Sequence, residues 1–303
     1  MNEQIKDIKS SCLNKWGNGA SSLDERLQTF DENFEKWFAQ IPEQNRSTVI
    51  TLIEHLEYYS HKKTNFWLKT LHSKLVENSS ITIENTIYVF LKSKDGKTNS
   101  SNDYWTEYKA INRLNKNTCI ENMGVLEPED WDYIENIVFI DDFSGSGDSF
   151  IGELKKNPDR YRGKNIYFIT INTMITAVEK INTYCSENNL SVVLLSAYNQ
   201  AKAFEGDIFD NNETAKDEIY RMSREFRIPK DDCLGFKGTQ ALAVFYNNTP
   251  NNTLGFIRYT TPIYSAIFPR RDDDVPTWMK MKKERRRRNA ANYNNKVEGV
   301  KDE

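Results

Sequence analysis

Five short apolar runs, rich in β-branched and aromatic residues, constrain this chain more than any other feature of its sequence. They occupy residues 87–91, 137–140, 166–171, 192–195 and 241–246. Runs of this length and composition are typical of strands that are buried on both faces of a sheet. Segments with helix-forming sequence lie between them, at residues 105–114, 150–156, 174–187 and 213–226. Strands that alternate with helices predict an α/β fold with a mainly parallel sheet flanked by helices.

The first eighty residues have a helical pattern instead. Apolar residues such as Leu27, Phe30 and Phe34 recur there at steps of three and four, and the same period continues through residues 49–59 and 66–75. We therefore predict an N-terminal helical region (residues 1–80) and an α/β domain (81–270). A basic C-terminal tail (271–303), expected to be flexible, follows them.

Composition excludes several classes of protein. Aromatic residues make up 12% of the chain, which is too many for a disordered protein. No stretch approaches the roughly 18 uninterrupted apolar residues of a membrane span, and the first residues lack the pattern of a secretory signal. The four cysteines stand far apart, which disfavours zinc ribbons and a disulfide framework. We expect a soluble, cytoplasmic protein without a membrane partner.

The three histidines, His55, His61 and His72, all lie in the N-terminal region. Neither of their spacings, 6 and 11 residues, is the i, i+4 spacing by which two imidazoles of one helix bind one metal ion. We therefore expect the chemistry to come from carboxylates, hydroxyls, lysines and backbone amides.

The segment IVFIDDFSGSGDSF, residues 137–150, is the strongest candidate for a site. A predicted strand ends there in Asp141 and Asp142, and a glycine–serine loop leads into a predicted helix. Ligands of open α/β sheets bind beyond the carboxyl ends of the strands. The loop can turn its amides and hydroxyls toward a phosphate, and the two carboxylates can accept from sugar hydroxyls or hold Mg²⁺. The predicted phosphate-binding residues are Ser144, Gly145, Ser146, Gly147, Asp148 and Ser149.

Two other interpretations of this segment are open. A Walker-B strand also ends in acids, but it requires an earlier GxxxxGK[ST] loop, which the chain lacks. Alternatively, the two aspartates cap the next helix and the glycines form a simple turn.

The same segment resembles the phosphoribosyl-diphosphate signature of type I phosphoribosyltransferases, in which a hydrophobic strand, two acids and a few small residues precede Thr-Gly-x-Thr. The chain is most similar to the phosphoribosyltransferase-like domains of bacterial conflict systems, including those encoded beside retron reverse transcriptases. GFKGTQALAVFYNNTPNNTL (235–254) and IFPRR (267–271) resemble a later signature of that family. The resemblance covers about residues 81–271. It implies that Asp141 and Asp142 bind the ribose hydroxyls and that residues 146–149 surround the 5′-phosphate.

Asp148 departs from the family pattern, which has a small neutral residue at this position. If its carboxylate faced the phosphate, like charges would repel and binding would weaken. If it pointed along the helix, it would only favour the helix dipole. We expect the outward orientation, because the neighbouring amides should form the cradle.

Two further segments are weaker candidates. The resemblance implies a pyrophosphate-binding loop after the first strand of the α/β domain, here LKSKDGKTNSSNDYW; an exposed lysine-rich loop without a ligand has the same composition. The amides and hydroxyls of NNTPNNTLGF fit a pocket wall near the aspartate pair, although they also suit ligand-free turns. The candidates are Lys92, Lys94, Lys97, Ser100 and Ser101 in the first segment, and Asn247, Asn248, Thr249, Asn251 and Asn252 in the second.

The C-terminal tail is basic although the whole chain carries a formal net charge of −3. Residues 270–288 hold nine basic and four acidic side chains, so the rest of the chain is acidic. The tail has the composition of a nucleic-acid contact, of a solvated end, or of a segment that folds against its own acidic domain. The residues proposed for nucleic-acid contact are Lys282, Lys283, Arg285, Arg286, Arg287 and Arg288.

The function that these observations favour is that of an effector in a bacterial anti-phage system. It would bind phosphoribosyl diphosphate or a nucleotide with Mg²⁺ as cofactor and act on ribosyl–phosphate bonds as a toxin effector. Two alternatives stay open: a catalytically inactive nucleotide sensor, and a nucleic-acid-binding or assembly subunit of a retron complex. A retron reverse transcriptase and its RNA or DNA are the expected partners in that setting.

Overall fold

The computed structural model describes residues 2–17, 24–77, 80–92 and 99–271, together with residues 277, 278, 281 and 285. Met1–Pro269 form one compact unit and Arg270–Glu303 a second one. In the described part of the chain, no helix combines the length and the apolar character needed to cross a bilayer.

Helices and strands alternate along most of the first unit. The helices are α1 (Asn2–Gly17), α2 (Glu25–Phe38), α3 (Arg46–His55), α4 (His61–Glu77), α5 (Ser100–Ile111), α6 (Asp130–Tyr133), α7 (Asp148–Leu154), α8 (Pro158–Tyr161), α9 (Ile175–Glu187), α10 (Asn212–Glu225) and α11 (Gly255–Arg258). The strands are β1 (Glu57–Tyr59), β2 (Thr86–Phe90), β3 (Asn136–Ile140), β4 (Phe143–Ser144), β5 (Asn165–Met174), β6 (Ser191–Gln200) and β7 (Ala243–Phe245).

The central sheet is parallel throughout, in the order β2-β3-β5-β6. The two-residue strand β4 continues the line of β3 beside β5, so that Ile140 pairs with Ile169 and Phe143 with Asn172. All carboxyl ends of these strands therefore meet at one edge of the sheet. The predicted α/β fold with a mainly parallel sheet is confirmed, and four of the five predicted strands form this sheet.

Strands β2, β3 and β5 are buried on both faces, as their apolar runs predicted. The prediction was wrong for residues 192–195, because β6 is only partly buried and Val193 is 45% exposed. Along β3, Val138 and Ile140 pack against α4 and α5, whereas Ile137 and Phe139 pack against α7, α8 and α9. Strand side chains alternate between faces, so a strand covered on both sides needs an unbroken apolar sequence.

The fifth predicted strand lies elsewhere. β7 pairs in parallel with β1, in a separate two-stranded sheet. The sequence predicted a helix through residues 57–59, but this segment is extended, because pairing with β7 overrides the local helical period. The backbone amide of Glu57 donates to Leu242 O at 3.0 Å, and that of Tyr246 donates to Tyr59 O at 2.9 Å.

The helices of the N-terminal region share a hydrophobic core with the end of the same unit. Phe30 of α2 stacks on Phe268, with ring centroids 5.5 Å apart. The indole of Trp37 donates to the buried hydroxyl of Tyr264 at 2.7 Å. Residues 8–58 and 203–268 contribute to this one core. The N-terminal helices are therefore packed into the compact unit that carries the sheet.

Candidate functional site

The aspartate pair lies at the carboxyl edge of the central sheet, between β3 and β4. The amide of Asp141 donates to Ile169 O at 3.0 Å, and Asp142 O accepts from the amide of Ile171 at 3.0 Å. Both carboxylates belong to residues that are less than 10% exposed. The backbone of β5 thus fixes two neighbouring acids at the position where ligands of parallel sheets bind.

Burial makes it energetically unfavourable for both carboxyl groups of this pair to be ionised at once. Burial raises the pKa of Asp141 well above its usual range, and the neighbouring charge of Asp142 raises it further. A hydrogen bond from the amide of Asp142 to Asp141 Oδ1, at 2.9 Å, offsets part of this effect. Sugar hydroxyls or a cation at the pair would compensate the charge that the protein itself leaves unbalanced.

The loop after the pair is tightly confined, which explains its glycines. A Cβ atom on Gly145 would lie 2.2 Å from Asn252 Nδ2. Gly147 has a φ of 72°, and a Cβ there would lie 2.9 Å from Ile181 Cγ1 in α9. Ser144 is buried in the same loop. The predicted cradle is therefore a rigid turn packed between Asn252 and α9.

Asp148 forms two ion pairs at the end of this loop. Its Oδ1 lies 2.5 Å from Lys180 Nζ in α9, and its Oδ2 lies 2.5 Å from Lys237 Nζ. Hydrogen bonds from these two ammonium groups lower the pKa of Asp148. Ser146 Oγ accepts from the amide of Asp148 at 3.4 Å, and Ser149 is exposed. The cluster of Asp148, Lys180 and Lys237 carries a net positive charge.

Sequence reasoning missed both lysines. Lys180 is 32 residues and Lys237 is 89 residues from Asp148. One signal was available for Lys237, which lies in the GFKGTQ segment that resembles a family signature. Lys237 lies between Gly235 and Gly238, and all three residues have a positive φ. A φ of 56° is unusual for a residue with a side chain.

The structure describes three of the five predicted residues of the loop after β2. Lys92 is exposed, and Lys94 and Lys97 lie outside the described residues. Ser100 begins α5. The buried hydroxyl of Ser101 accepts from the amide of Leu91 at 2.9 Å and donates to Ile140 O at 2.6 Å. Ser101 thus ties the ends of β2 and β3 together, directly beside the aspartate pair.

Only part of the predicted pocket wall approaches the site. Asn252 lies against Gly145 and donates to Thr239 Oγ1 at 3.0 Å. Asn247 Oδ1 accepts from Tyr104 at 3.0 Å.

Three other predicted wall residues are engaged in local or core contacts. Thr249 is fully buried, and its hydroxyl accepts from Arg26 Nη2 and donates to Phe268 O, both at 2.8 Å. Asn248 Oδ1 accepts from the amide of Thr249 at 2.9 Å, and Asn251 O accepts from the amide of Phe236 at 2.9 Å.

The predicted nucleic-acid contacts lie in the second compact unit. Arg285 is exposed there, whereas Lys282, Lys283, Arg286, Arg287 and Arg288 lie outside the described residues.

The fit of the pair to Mg²⁺ depends on its donor set. Among the described residues, no group of three or more His, Cys, Asp or Glu side chains could hold a metal ion. Asp141 and Asp142 supply the hard carboxylate oxygens that Mg²⁺ prefers, and Mg²⁺ in phosphate-transfer sites takes only one or two carboxylates together with substrate oxygens. The pair therefore fits an ion that it shares with a phosphorylated ligand.

A second polar group, also missed by sequence reasoning, lies near Asp142. Glu107 of α5 contacts His61 and Tyr246, and Tyr104 lies one turn earlier on the same helix. Burial raises the pKa of Tyr104 well above its usual range, and the nearby Asp142, Tyr246 and Glu107 raise it further.

Comparisons with known proteins identify a family for most of the chain. The model of the family PRTase-CE, whose name carries the abbreviation of phosphoribosyltransferase, matches residues 34–270, more than half of the chain. No curated protein matches the sequence.

Two solved structures illustrate the likeness. Helicobacter pylori xanthine-guanine-hypoxanthine phosphoribosyltransferase has a TM-score of 0.31 and 12% identity, with 48% of this chain and 88% of that chain covered. A hypothetical protein from Neisseria gonorrhoeae with bound ppGpp has a TM-score of 0.29 and 11% identity, with coverages of 54% and 97%.

Proposed function

The chain belongs to the PRTase-CE family, and we propose that it binds phosphoribosyl diphosphate or a nucleotide at the carboxyl edge of its sheet and acts on the bond between ribose and phosphate. The observation that carries this proposal is the buried pair Asp141 and Asp142, fixed next to the confined loop of residues 144–148. Carboxylates and backbone amides in this order suit a ligand with vicinal hydroxyls on one side and a phosphate on the other.

The aspartates bind the ribose hydroxyls in this proposal. Two hydroxyl groups can donate to the two carboxylates, which are acceptors only when ionised. The ligand thereby stabilises the charge that burial disfavours at Asp141. Binding is therefore expected to favour the ionised form of the pair.

The loop binds the phosphate, assisted by Lys180 and Lys237. The ammonium groups of these lysines meet Asp148 at 2.5 Å, and their side chains are 53% and 58% exposed, so that both remain accessible to a ligand. The two positive charges outweigh the single carboxylate. The two lysines therefore offset the repulsion between Asp148 and a phosphate, which was the feature that favoured a catalytically inactive nucleotide sensor.

Mg²⁺ would neutralise charge on a pyrophosphate leaving group, and Asp141 and Asp142 would hold it together with ligand oxygens. The protein itself contributes positioning: rigid backbone contacts from β5 fix the acids, and the confined turn fixes the phosphate. Holding both ends of the ribosyl phosphate aligns the bond to be broken and supports an oxocarbenium-like transition state.

The test is calorimetric titration of the purified chain with phosphoribosyl diphosphate, with and without Mg²⁺, followed by mass analysis of products in the presence of a nucleotide pool. We expect binding by the wild type and loss of binding in Asp141→Asn/Asp142→Asn. Asp210→Asn, an exposed acid before α10, is the matched control. Failure of the wild type to bind or consume phosphoribosyl diphosphate under either condition contradicts the proposal.

The wider role that we propose is that of a toxin effector in bacterial anti-phage defence, linked to a retron. The resemblance of residues 137–150 and 235–271 to domains of conflict systems supports it. The tests are phage plating on cells that express the wild type or the double asparagine variant, and copurification with a reverse transcriptase and its nucleic acid. Equal plating efficiency with both variants and the empty vector contradicts this role.

A further inference from the structure

Three side chains that take no part in the proposed ribose and phosphate contacts form a hydrogen-bonded group. His61 begins α4, Glu107 lies on α5, and Tyr246 follows β7. His61 Nε2 lies 2.7 Å from Glu107 Oε1, and the hydroxyl of Tyr246 donates to the same oxygen at 3.1 Å. The rings of His61 and Tyr246 are 4.8 Å apart. Three separate segments of the chain thus converge on one carboxylate.

This arrangement orients the imidazole. An ionised carboxylate only accepts hydrogen bonds, so the contact with Glu107 places the proton on Nε2 and leaves the lone pair on Nδ1. Asn65 Nδ2, itself a donor, lies 3.3 Å from Nε2 and makes no hydrogen bond to the protonated nitrogen, so the shorter contact with Glu107 decides the tautomer. Nδ1 has no hydrogen-bond partner among the residues that the structure describes. The side chain of His61 is 53% exposed, whereas that of Glu107 is only 18% exposed. A largely buried carboxylate thus holds an imidazole whose side chain is half exposed.

Helix α5 connects this group to the aspartate pair. Its first turn is tied to the end of β3 by Ser101, and its second turn presents Tyr104, whose hydroxyl donates to Asn247 Oδ1. Glu107 follows one turn later, so that about 9 Å of helix axis separates Ser101 from Glu107. Tyr104 lies close enough to Asp142 and Glu107 for both carboxylates to raise its pKa. A line of polar side chains therefore runs from the ribose-binding acids to His61.

We propose that His61, oriented by Glu107 and Tyr246, is the general base that activates a hydroxyl-bearing acceptor. The inference rests on the proposed function, in which a ribosyl phosphate is held at the aspartate pair. His61 Nδ1 takes the proton of the acceptor O–H as its oxygen forms a bond to the anomeric carbon. The bond from that carbon to the pyrophosphate oxygen breaks, and its electron pair leaves with the pyrophosphate. The acceptor is water or an alcohol, because a hydroxyl is a weak nucleophile until its proton is removed.

The surroundings of His61 suit this step. The imidazole gains a positive charge when it takes the proton, and Glu107 faces it directly. Asp24 lies on the other side, with its Oδ2 accepting from the backbone amide of His61 at 3.1 Å. Asp103 and Asp24 also act on the neighbouring Tyr246, whose pKa is raised by burial first and then by Glu107 and these two acids. Lys63, two residues later on α4, pairs with Glu57 instead.

The experiment uses the full chain with phosphoribosyl diphosphate and Mg²⁺ in H₂¹⁸O, with and without glycerol. Incorporation of ¹⁸O into ribose 5-phosphate identifies water as the acceptor, and a ribosyl glycerol product identifies an alcohol. We expect His61→Ala to lower kcat by about 100-fold or more, with the Kd for phosphoribosyl diphosphate unchanged within about twofold, because the ribose and phosphate contacts remain. Added imidazole should restore turnover in this variant and leave the wild type unaffected. Glu107→Gln should lower kcat by about tenfold, because the imidazole loses its orientation.

His55→Ala is the matched control, since His55 is exposed and, among the described residues, hydrogen-bonds only within α3, through Nδ1 and Thr51 O at 2.8 Å. His61→Ala with wild-type kcat, or a loss of turnover that imidazole does not restore, overturns the inference. A wild type that binds phosphoribosyl diphosphate but transfers it to neither water nor glycerol also overturns it. The proposed binding function survives each of these outcomes. It fails separately, and the inference with it, if the wild type does not bind phosphoribosyl diphosphate.

Discussion

Replacement of Gly145 by alanine tests whether the phosphate loop is as confined as its geometry indicates. The new Cβ would lie 2.2 Å from Asn252 Nδ2 and 2.3 Å from its Cγ, so that the Asn252 side chain must move by about 1 Å or more to restore ordinary contact. Asn252 is buried and donates to Thr239 Oγ1 at 3.0 Å. Overpacking costs about 1–3 kcal/mol and a lost buried hydrogen bond a similar amount. We therefore expect Gly145→Ala to lower the free energy of unfolding by about 2–3 kcal/mol.

The assay is a double-mutant cycle by thermal and urea unfolding. For a domain of this size the loss corresponds to a decrease in Tm of about 4–12 °C. In the Asn252→Ala background, Gly145→Ala should cost at least about 1 kcal/mol less, because most of the obstructing side chain is gone. Gly206→Ala is the control, since nothing lies within 4 Å of a Cβ at that position. A cost below about 0.5 kcal/mol for Gly145→Ala, or the same cost in both backgrounds, refutes the reasoning.

Three further predictions concern charge. Asp148→Asn should lower stability at pH 7 by less than about 1 kcal/mol, because its ion pairs with Lys180 and Lys237 are partly exposed. Since its folded pKa is lowered, that contribution is present above about pH 4 and lost as the pH falls through the folded value, which urea unfolding across pH should show. Asp141→Asn should instead stabilise the free protein at pH 7 while abolishing ligand binding, because the raised pKa makes stability fall as the pH rises from about 4; calorimetry and thermal unfolding measure both effects, and a destabilised variant contradicts this. Serine at all four positions of 285–288 should leave binding of phosphoribosyl diphosphate unchanged and weaken salt-dependent binding of single-stranded RNA, measured by fluorescence anisotropy.

The parts of the fold that the sequence predicted are those with local signals. An apolar strand that is buried on both faces has an unbroken apolar run, as β2, β3 and β5 show, whereas β6 has such a run but is only partly buried. Asp141 and Asp142 were predicted correctly as residues at a strand end, because they directly follow the apolar run of residues 137–140. The pairing of β1 with β7 was not predictable, because 186 residues separate Glu57 from Ala243 and the local period of the first segment is helical.

The chemistry of the site depends on contacts between distant segments, which a single sequence does not encode in any spacing. Lys237 reaches Asp148 across 89 residues, and Glu107 meets Tyr246 across 139. Thr249 shows the reverse case. A threonine at this position suited a pocket wall, but its hydroxyl accepts from Arg26 and donates to Phe268 O inside the core. Prediction from residue type alone therefore assigns too many residues to the pocket wall and misses lysines that lie at the site.

The N-terminal helices connect the core and the site physically. α2 packs on Phe268 and holds Thr249 through Arg26, which fixes the segment that follows β7. That segment carries Asn247, which meets Tyr104. β1 then brings the start of α4 beside α5, because its pairing with β7 sets the position of the chain just before His61. His61, which sequence reasoning assigned to a separate helical region, thus meets Glu107 of the α/β domain, because the same packing that buries the aromatic residues of α2 also positions the start of α4.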